Sequence, residues 1–380
     1  MFRDPAVDQP APFEALEPRL LLAANPKLKA IAGQTLLGGS PLLVPLNKLN
    51  PDAKKAKIRA ITNDPNVTAR VVSTGLTMKI DVKGFGSMTF ALLNRFAPRA
   101  TKQITKLAKQ GFYDGVTFHR VINNFMIQTG DPTGTGGGGS KRPDFDDQFH
   151  VDLQHNSTGL LSMAKAGDDS NNSQFFITEV PTRHLDFNHT IFGKLVEGDK
   201  VREKISNVAT DANDKPRKPV VISKVTVYKD KRNALLMLKA PEGYTGTANV
   251  AVSVSAKVEG RKRAKIKTVT RTFIANVQAD TVNGGPFLKD IAPQTAKAGV
   301  QKAIQLVGVD VENNNMFYDA AVMTDNVEAN LSINNSTGLL TFTPPANYKG
   351  ILEIIVGVRG QSQTDTQDQW DTQLLQIKVG

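Results

Sequence analysis

The sequence has no cysteine among its 380 residues. Without thiols, the chain cannot form disulfides, use a cysteine nucleophile or bind zinc through thiolates. Its five histidines form no His-x-x-x-His pair that would indicate a zinc site. No apolar run approaches the roughly 20 residues that a membrane-spanning helix needs. We therefore expect no metal, no cofactor and no membrane span.

The chain is basic, with a net charge of +11. The densest cluster is Arg261-Lys262-Arg263 with Lys265 and Lys267, and its alternation is typical of a solvated hairpin. No helix-turn-helix or RNA-binding motif accompanies this charge, so no nucleic-acid partner is expected. Weak adhesion to a polyanion or to a cell wall stays open.

Two further segments have the composition of ligand-binding loops but lack the required pattern. Residues 134–141 read GTGGGGSK, which inverts the Gly-Lys-Ser/Thr ending of a phosphate-binding loop. Residues 168–172 read DDSNN, but the glycine and the distal glutamate of a calcium-binding EF-hand are missing. Neither segment predicts a ligand site.

The chain contains an internal repeat that a long insertion interrupts. LKAIAGQT at 28–35 recurs as LKDIAPQT at 288–295, an offset of 260 residues, whereas PEGYTG at 241–246 recurs as PANYKG at 345–350, an offset of 104. The first copy is therefore 156 residues longer, which is the size of a domain. The turn STG at 336–338 runs directly into LLTFTP, but STG at 73–75 reaches the matching LLMLKA only at 235–240.

The repeats themselves have the pattern of β-strands. Apolar residues alternate with small or polar ones at Val250, Val252 and Val254, and again at Leu352, Ile354 and Val356. Residues 331–350 resemble bacterial cadherin-like or immunoglobulin-like surface repeats. The resemblance predicts an interrupted sandwich at 27–75 and 234–280, an inserted domain at 76–233, and a second sandwich at 285–380. A hairpin tip tolerates such an insertion when the guest's ends lie close together.

The N-terminal segment, residues 1–26, carries the sequence FEALEPRLLL at 13–22. These ten residues resemble a short sorting motif of planctomycete surface proteins. The resemblance favours export to the cell surface, the periplasm or the exterior, with surface or matrix contacts made through the sandwiches. An amphipathic or disordered tail is the alternative.

The inserted region carries four ordered sequence blocks. They read FHRVINNFMIQTGD at 118–131, GLLSMAKAG at 159–167, NSQFFIT at 172–178 and HLDFNHTIFG at 184–193. In order and spacing they resemble the signature of cyclophilin-type peptidyl-prolyl cis/trans isomerases across essentially all of residues 76–230. The resemblance implies a mainly β chain: an eight-stranded cyclophilin β-barrel with two capping helices, plus two immunoglobulin-like β-sandwich domains. A helix is expected from Ala97 to Lys109, and Val196 to Ser206 would be the start of the second.

Isomerisation of an X–Pro bond makes modest chemical demands. The rotational barrier of about 18–20 kcal/mol comes from amide resonance, while the cis form lies only about 0.5–1 kcal/mol above trans. A catalyst needs no nucleophile, only an apolar slot for the proline ring and a fixed donor that favours the twisted amide. The rigid fork of an arginine side chain, such as Arg120, is a suitable donor.

The resemblance assigns roles to individual residues for an enzyme that acts on proline-containing polypeptides. The catalytic residues would be Arg120, Gln128, Phe125 and His189. Arg120 would contact the prolyl nitrogen region, and Gln128 would hold the arginine and the substrate backbone. The substrate-binding residues would be Met126, Phe176 and Leu185 in the proline pocket, Ala164, Lys165, Ala166 and Gln174 in the adjoining groove, and His184 beside them.

Two residues depart from the family pattern. Lys165 stands where the family usually has Asn, at a groove position that contacts the substrate backbone, and His184 stands where many eukaryotic members have a Trp linked to cyclosporin binding. These departures predict an altered sequence preference and weak cyclosporin affinity. They also leave open a second function, a binding module that holds proline-containing segments with little turnover on an adhesive surface protein.

Overall fold

The structure is a computed structural model that describes residues 26–46, 56–72, 75–230, 233–258, 265–361 and 370–380. The motif at 13–22, the turn residues Ser73-Thr74 and the basic triplet at 261–263 lie outside the described residues. The described chain is mainly β, with two α-helices. Within it, no helix is both long enough and apolar enough to span a membrane.

The strands follow one another in three stretches of the chain. The first four are β1 (Gln34–Leu37), β2 (Leu42–Leu46), β3 (Lys57–Thr62) and β4 (Thr68–Val72). The next eight are β5 (Leu76–Val82), β6 (Gly86–Leu92), β7 (Arg120–Ile122), β8 (Met126–Thr129), β9 (Leu160–Met163), β10 (Phe175–Thr178), β11 (Ile191–Glu197) and β12 (Ile222–Lys229). Helix α1 (Pro98–Lys109) follows β6, a 3-10 turn (Arg183–Leu185) precedes β11, and helix α2 (Asp199–Ser206) follows it.

The remaining strands lie after the motif-bearing region. They are β13 (Ala234–Lys239), β14 (Gly246–Val258), β15 (Lys265–Gln278), β16 (Phe287–Leu288), β17 (Gln294–Ala296), β18 (Lys302–Gln305), β19 (Gly308–Val309), β20 (Met316–Val322), β21 (Asn330–Ile333), β22 (Leu339–Thr343), β23 (Gly350–Gly360) and β24 (Asp371–Val379).

Two outer units have the same sheet topology. In the first, the orders are β1-β15-β14-β3 and β2-β13-β4; in the second, they are β17-β24-β23-β20 and β18-β22-β21. The parallel pair β1–β15 has its counterpart in the parallel pair β17–β24. In each unit, one cluster of buried residues draws on both sheets, with the alternating Val250, Val252 and Val254 in the first and Leu352 and Ile354 in the second.

The central unit is an eight-stranded antiparallel sheet in the order β12-β5-β6-β11-β9-β10-β8-β7. The sheet curls, and backbone hydrogen bonds from Gly115 to Ile222 (2.8 Å) and from Phe118 to Val220 (2.9 Å) join the segment before edge strand β7 to the beginning of edge strand β12. Its core includes Phe90, Phe175 and Phe192, all without solvent exposure.

The two helices pack on this sheet with bounds close to those predicted. Helix α1 begins at Pro98 and buries Ala100, Ile104 and Leu107, as its spacing predicted. Helix α2 begins at Asp199, later than predicted, because residues 196–197 still belong to β11 and the turn comes at Gly198. Gly198 has φ 96°, and a Cβ there would lie 2.3 Å from the Ser87 carbonyl oxygen, so this position requires glycine.

The chain enters and leaves the central unit at adjacent points. The first strand of that unit pairs with the last, with Leu76 opposite Lys229. Strands β4 and β13, which flank the unit in sequence, also pair, with Val72 opposite Leu235. The eight-stranded unit therefore connects two neighbouring strands of the first outer unit.

The three-stranded sheet of the first unit packs against the outside of the central sheet. Leu235 and Met237 of β13 share a buried cluster with Ala91, Leu160 and Val196 of the central unit. The Asp152 carboxylate pairs there with the Lys239 ammonium. Since its other face lies in the core of its own unit, β13 is buried on both sides.

Candidate active site

Three strands bring two of the candidate catalytic residues, Arg120 and Gln128, into one row with the candidate substrate-binding residue Phe176. Arg120 of β7 lies opposite Gln128 of β8, and Gln128 lies opposite Phe176 of β10. Directly opposed residues of antiparallel strands project from the same face of a sheet. The register therefore places a cation, an amide and an aromatic ring side by side, although 56 residues separate the first from the last in sequence.

The Arg120 side chain contacts Asp214 and remains 45% exposed. Its Nε lies 3.7 Å from Oδ2 of Asp214, whose backbone carbonyl accepts a 2.8 Å hydrogen bond from the Val121 N–H. An exposed ion pair of this length contributes little energy. The guanidinium is therefore oriented by Asp214 but accessible from solvent.

Gln128 belongs to a chain of amide hydrogen bonds. Its Nε2 donates to Oε1 of Gln174 at 2.9 Å, and the Nε2 of Gln174 donates to the carbonyl oxygens of Gly136 (2.8 Å) and Gly138 (2.7 Å). The glycine-rich segment at 134–139 is thus fixed beside the row. It borders a cavity of about 550 Å³ that Gln128, Gln174 and residues 164–166 also line.

A buried carboxylate holds the same segment from beneath. Asp131 accepts hydrogen bonds from the N–H groups of Thr133 (2.7 Å), Thr135 (3.0 Å) and Gly136 (2.7 Å). These donors hold the pKa of Asp131 well below its usual range, although burial acts in the opposite direction. A Cβ at Gly138 would lie 2.0 Å from the carboxylate, so the segment must be glycine here to wrap around it.

Aromatic contacts define the apolar part of the site. Phe176 is 4% exposed and Met126 is 2% exposed, so both are almost fully buried. The ring of His189 meets Phe176 edge-on at 5.6 Å, while Phe125 stacks on the exposed His184 at 5.5 Å. The half-buried Leu185 ends the 3-10 turn that carries His184.

His189 is neutral near pH 7. Its Nδ1 donates to the Met163 carbonyl oxygen at 2.9 Å, and burial lowers its pKa to about 4. A neutral ring that is fixed by a backbone hydrogen bond suits a wall residue rather than a proton carrier.

His155 supports Phe176 from the other side, a role that the sequence analysis missed. The buried ring stacks on Phe176 at 6.1 Å, and its nitrogens contact the Asp186 carboxylate (3.2 Å) and the Ser162 hydroxyl (2.9 Å). Burial lowers the pKa of His155 as well. All three side chains are buried, so this serine–histidine–aspartate group fixes the ring and does not meet a substrate.

Lys165 lies in the groove segment, but its ammonium is buried. The side chain is 5% exposed and pairs with the carboxylates of Asp147 and, at 3.1 Å, Asp168. Those two carboxylates and Asp169 lie close enough to hold a cation, and the lysine supplies the positive charge there. The neighbouring Ala164 and Ala166 remain in the cavity wall.

The sequence profile of the family described as cyclophilin type peptidyl-prolyl cis-trans isomerase/CLD matches residues 77–227. The chain is 49% identical over 141 residues to peptidyl-prolyl cis-trans isomerase ppi1 of Schizosaccharomyces pombe, which covers 37% of this chain and 91% of that protein. It is 46% identical over 147 residues to peptidyl-prolyl cis-trans isomerase-like 1 of Aspergillus oryzae, with 38% and 91% covered.

A solved structure shows a similar partial match. It is a cyclophilin type peptidyl-prolyl cis-trans isomerase of Cryptosporidium parvum, which is 32% identical, covers 43% of this chain and all of its own, and has a TM-score of 0.40.

The fold and the site define a protein that presents an arginine beside an apolar, aromatic wall on a curled antiparallel sheet. The chain belongs to the cyclophilin-type peptidyl-prolyl cis-trans isomerase family, and its enzymatic class is that of the family. The matched region, residues 77–227, is the central unit.

Proposed function

We propose that this chain catalyses cis/trans isomerisation of X–Pro bonds in protein substrates, and that Arg120, Gln128 and Phe176 form the centre of its site. One observation carries the proposal: the strand register that sets these three residues side by side. A donor that is fixed over a partly apolar surface favours the twisted amide, in which the prolyl nitrogen has lost its conjugation.

Each residue has a role in this proposal. Arg120 donates toward the prolyl nitrogen, and Gln128 orients the substrate backbone while Gln174 holds its amide. Phe125 and His189 complete the catalytic set as walls of the proline pocket. Met126, Phe176 and Leu185 also line this pocket. His184 lies at its edge, stacked on Phe125.

The cavity beside the glycine-rich segment would receive the residues that precede proline. Ala164 and Ala166 give it small, uncharged walls, and Gln174 closes its floor through two carbonyl contacts. Lys165 contributes backbone to this wall rather than charge, because its ammonium is paired with two aspartates.

The low-turnover binding module rested on the departure of Lys165 from the Asn that the family usually has in the groove. Because the Lys165 ammonium is buried against Asp147, this departure puts no charge into the groove, which supports catalysis over the binding alternative. An exchange or protease-coupled assay on a proline peptide tests this point. Acceleration by the full chain above the uncatalysed rate supports the enzyme, whereas peptide binding without acceleration supports the module.

We also propose that the enzyme serves the folding of exported or surface proteins. Support comes from the motif at 13–22 and from the resemblance of the outer units to immunoglobulin-like surface repeats. The two units have equivalent strand orders, as repeats of one fold would. On this proposal the domains are 27–75 with 234–280, 76–233, and 285–380. Fractionation of cells that express the full chain tests it, since recovery in the cytosolic fraction alone would count against export.

A further inference from the structure

The segment that carries Leu185 and His189 is anchored to residues outside the central unit. Arg183, at the start of this segment, places Nη1 2.9 Å from Oδ2 of Asp280, which follows β15, and both side chains are 9% exposed. The same arginine pairs through Nε with Asp186. A charge pair that is this buried and shared fixes its partners more firmly than an exposed one.

An aromatic contact holds the same segment one turn further on. Phe187 lies between Leu185 and His189, has φ 53° and is 7% exposed. Its ring stacks on Phe287 of β16 at 5.0 Å, and Phe287 also meets Phe149 edge-on at 5.9 Å. Phe287 itself is 5% exposed, so it is inserted between two rings of the central unit. Aromatic pairs of this kind contribute beyond the area that they bury.

The opposite wall of the site has its own link to the second outer unit. Asp168 Oδ2 accepts hydrogen bonds from the N–H (2.9 Å) and the hydroxyl (2.6 Å) of Thr372 in β24. The other oxygen of Asp168 pairs with Lys165, which stands between the groove residues Ala164 and Ala166. Lys165, which differs from the residue usual in the family, is therefore linked through Asp168 to the second outer unit.

Both segments lack the support that strands would provide. Residues 164–171 and 186–190 fall between strands. Local backbone hydrogen bonds, such as Ala164 N–H to Gln174 O and Met163 N–H to Thr190 O, tie their ends to the sheet, and side-chain contacts add to this support. The strands of the row, by contrast, are held by ladder hydrogen bonds on both sides of Gln128.

We propose that Asp280, Phe287 and Thr372 are positioning residues that hold the two walls of the isomerase groove, so that residues 279–380 set the substrate affinity of the central unit. This inference rests on the proposed function. They act through Leu185 and His189 on one side and through Lys165 on the other, and they touch no substrate themselves.

The test uses the full chain with Asp280→Ala and Phe287→Ala combined, and separately with Thr372→Val. Matched controls are Asp325→Ala and Thr295→Val, which change exposed residues of the second outer unit. We expect kcat/KM for a proline peptide to fall about three- to tenfold in the double variant, mainly through a higher KM, because coupling of this kind is modest. The controls should retain the kinetic constants of the unaltered chain.

A readout that does not depend on activity accompanies the kinetics. Hydrogen exchange should become faster at the amides of residues 183–189 in the double variant and at those of 164–171 in Thr372→Val, while the amides of β8 and β10 stay protected. A merely unstable variant would instead lower the active fraction without changing KM. If the double variant does not fold, Asp280→Asn and Thr372→Val alone provide the same two readouts.

The outcomes separate this inference from the proposed function. Unchanged KM and unchanged exchange in both segments, in a chain that is an active isomerase, would overturn the positioning role alone. If the unaltered chain has no isomerase activity, the proposed function is wrong. The exchange measurement still applies in that case: an unchanged exchange pattern in the variants would refute the positioning role of Asp280, Phe287 and Thr372.

Discussion

Removal of the Arg120 guanidinium is the sharpest test of the site. Arg120→Ala takes away the donor that we place at the prolyl nitrogen while leaving the row partners Gln128 and Phe176 in their strands. Loss of a single fixed oxyanion-hole donor typically costs about 10²–10³ in rate, and we apply the same range to a donor at the prolyl nitrogen. Because the side chain is 45% exposed and therefore partly screened by water, we expect the lower end, about 100-fold in kcat/KM or about 2.7 kcal/mol.

The same geometry predicts that folding is nearly unaffected. The ion pair with Asp214 spans 3.7 Å between half-exposed side chains, and such pairs contribute about 0–1 kcal/mol. Urea unfolding of Arg120→Ala should therefore lie within about 1 kcal/mol of the unaltered chain. Arg120→Lys keeps the charge but loses the planar fork, so an intermediate loss of about tenfold is expected.

The assay is the exchange rate of a proline peptide, measured by NMR or by coupled proteolysis over a range of substrate concentrations. Arg95→Ala, which removes an exposed arginine outside the row, serves as the control. Should Arg120→Ala keep kcat/KM within about threefold of the unaltered chain, a loss too small for any fixed donor, the reasoning would be refuted, because no other cation belongs to the row.

Further predictions concern the walls of the site. The pKa of His189 is about 4 in the folded chain and about 6.5 in the unfolded chain. Between these values the unfolded chain binds one more proton, so the stability of the fold falls as the pH drops. Measured by urea unfolding, the free energy of unfolding lost between pH 8 and pH 5 should be about 2 kcal/mol larger in the unaltered chain than in His189→Gln. Phe176→Leu should raise KM for proline peptides with a smaller effect on kcat, because an apolar wall binds ground and twisted states alike; steady-state kinetics at matched folded fractions would show this. Lys165→Asn should destabilise the chain by about 3–5 kcal/mol at pH 7, because the Asp147 carboxylate, 2% exposed, loses its cation. Burial raises the pKa of Asp147, so this carboxylate is protonated more readily in acid. The loss of unfolding free energy, measured with urea, should therefore be smaller at acidic pH. His184→Trp should strengthen cyclosporin inhibition, and potent inhibition of the unaltered chain would contradict the prediction of weak affinity.

The pairing of Arg120 with Gln128 could be predicted from the sequence because the two residues belong to one hairpin. Arg120 and Gln128 are eight residues apart, and a turn at Asn123-Asn124 brings their strands together, with Asn124 at φ 59°. A motif of this kind encodes one hairpin, and the spacing of its residues fixes which side chains share a face. The isomerase class, which followed from four such blocks, is confirmed by the comparisons.

The support of the site was not accessible in the same way. His155 lies 21 residues before Phe176 and is joined to it by packing between distant segments, with no periodic spacing to mark the pair. The same holds for Asp280 and Phe287, which approach the site from another unit. Lys165 was predicted to alter substrate preference because the sequence shows its position in the motif but not the aspartates that turn its ammonium inward.

One signal for how the units are joined was present in the repeat itself. At equivalent positions, the first copy reads LLML at 235–238 and the second reads LLTF at 339–342. In the second, Thr341 interrupts the apolar run and the burial alternates, as in a strand with one face toward solvent: Leu339 is 43% exposed, whereas Leu340 and Phe342 are fully buried. The first is continuously apolar, and its counterpart Leu235 is fully buried. Because the two strands hold the same place in the same topology, the continuous apolar run of the first copy marks a strand that is covered on both faces. The covering surface is the outside of the central unit, through Ala91, Leu160 and Val196. The repeat thus indicates that the catalytic unit is packed against the sheet from which it emerges rather than tethered to it, and such packing is what makes a positional influence of the outer units on the groove physically feasible.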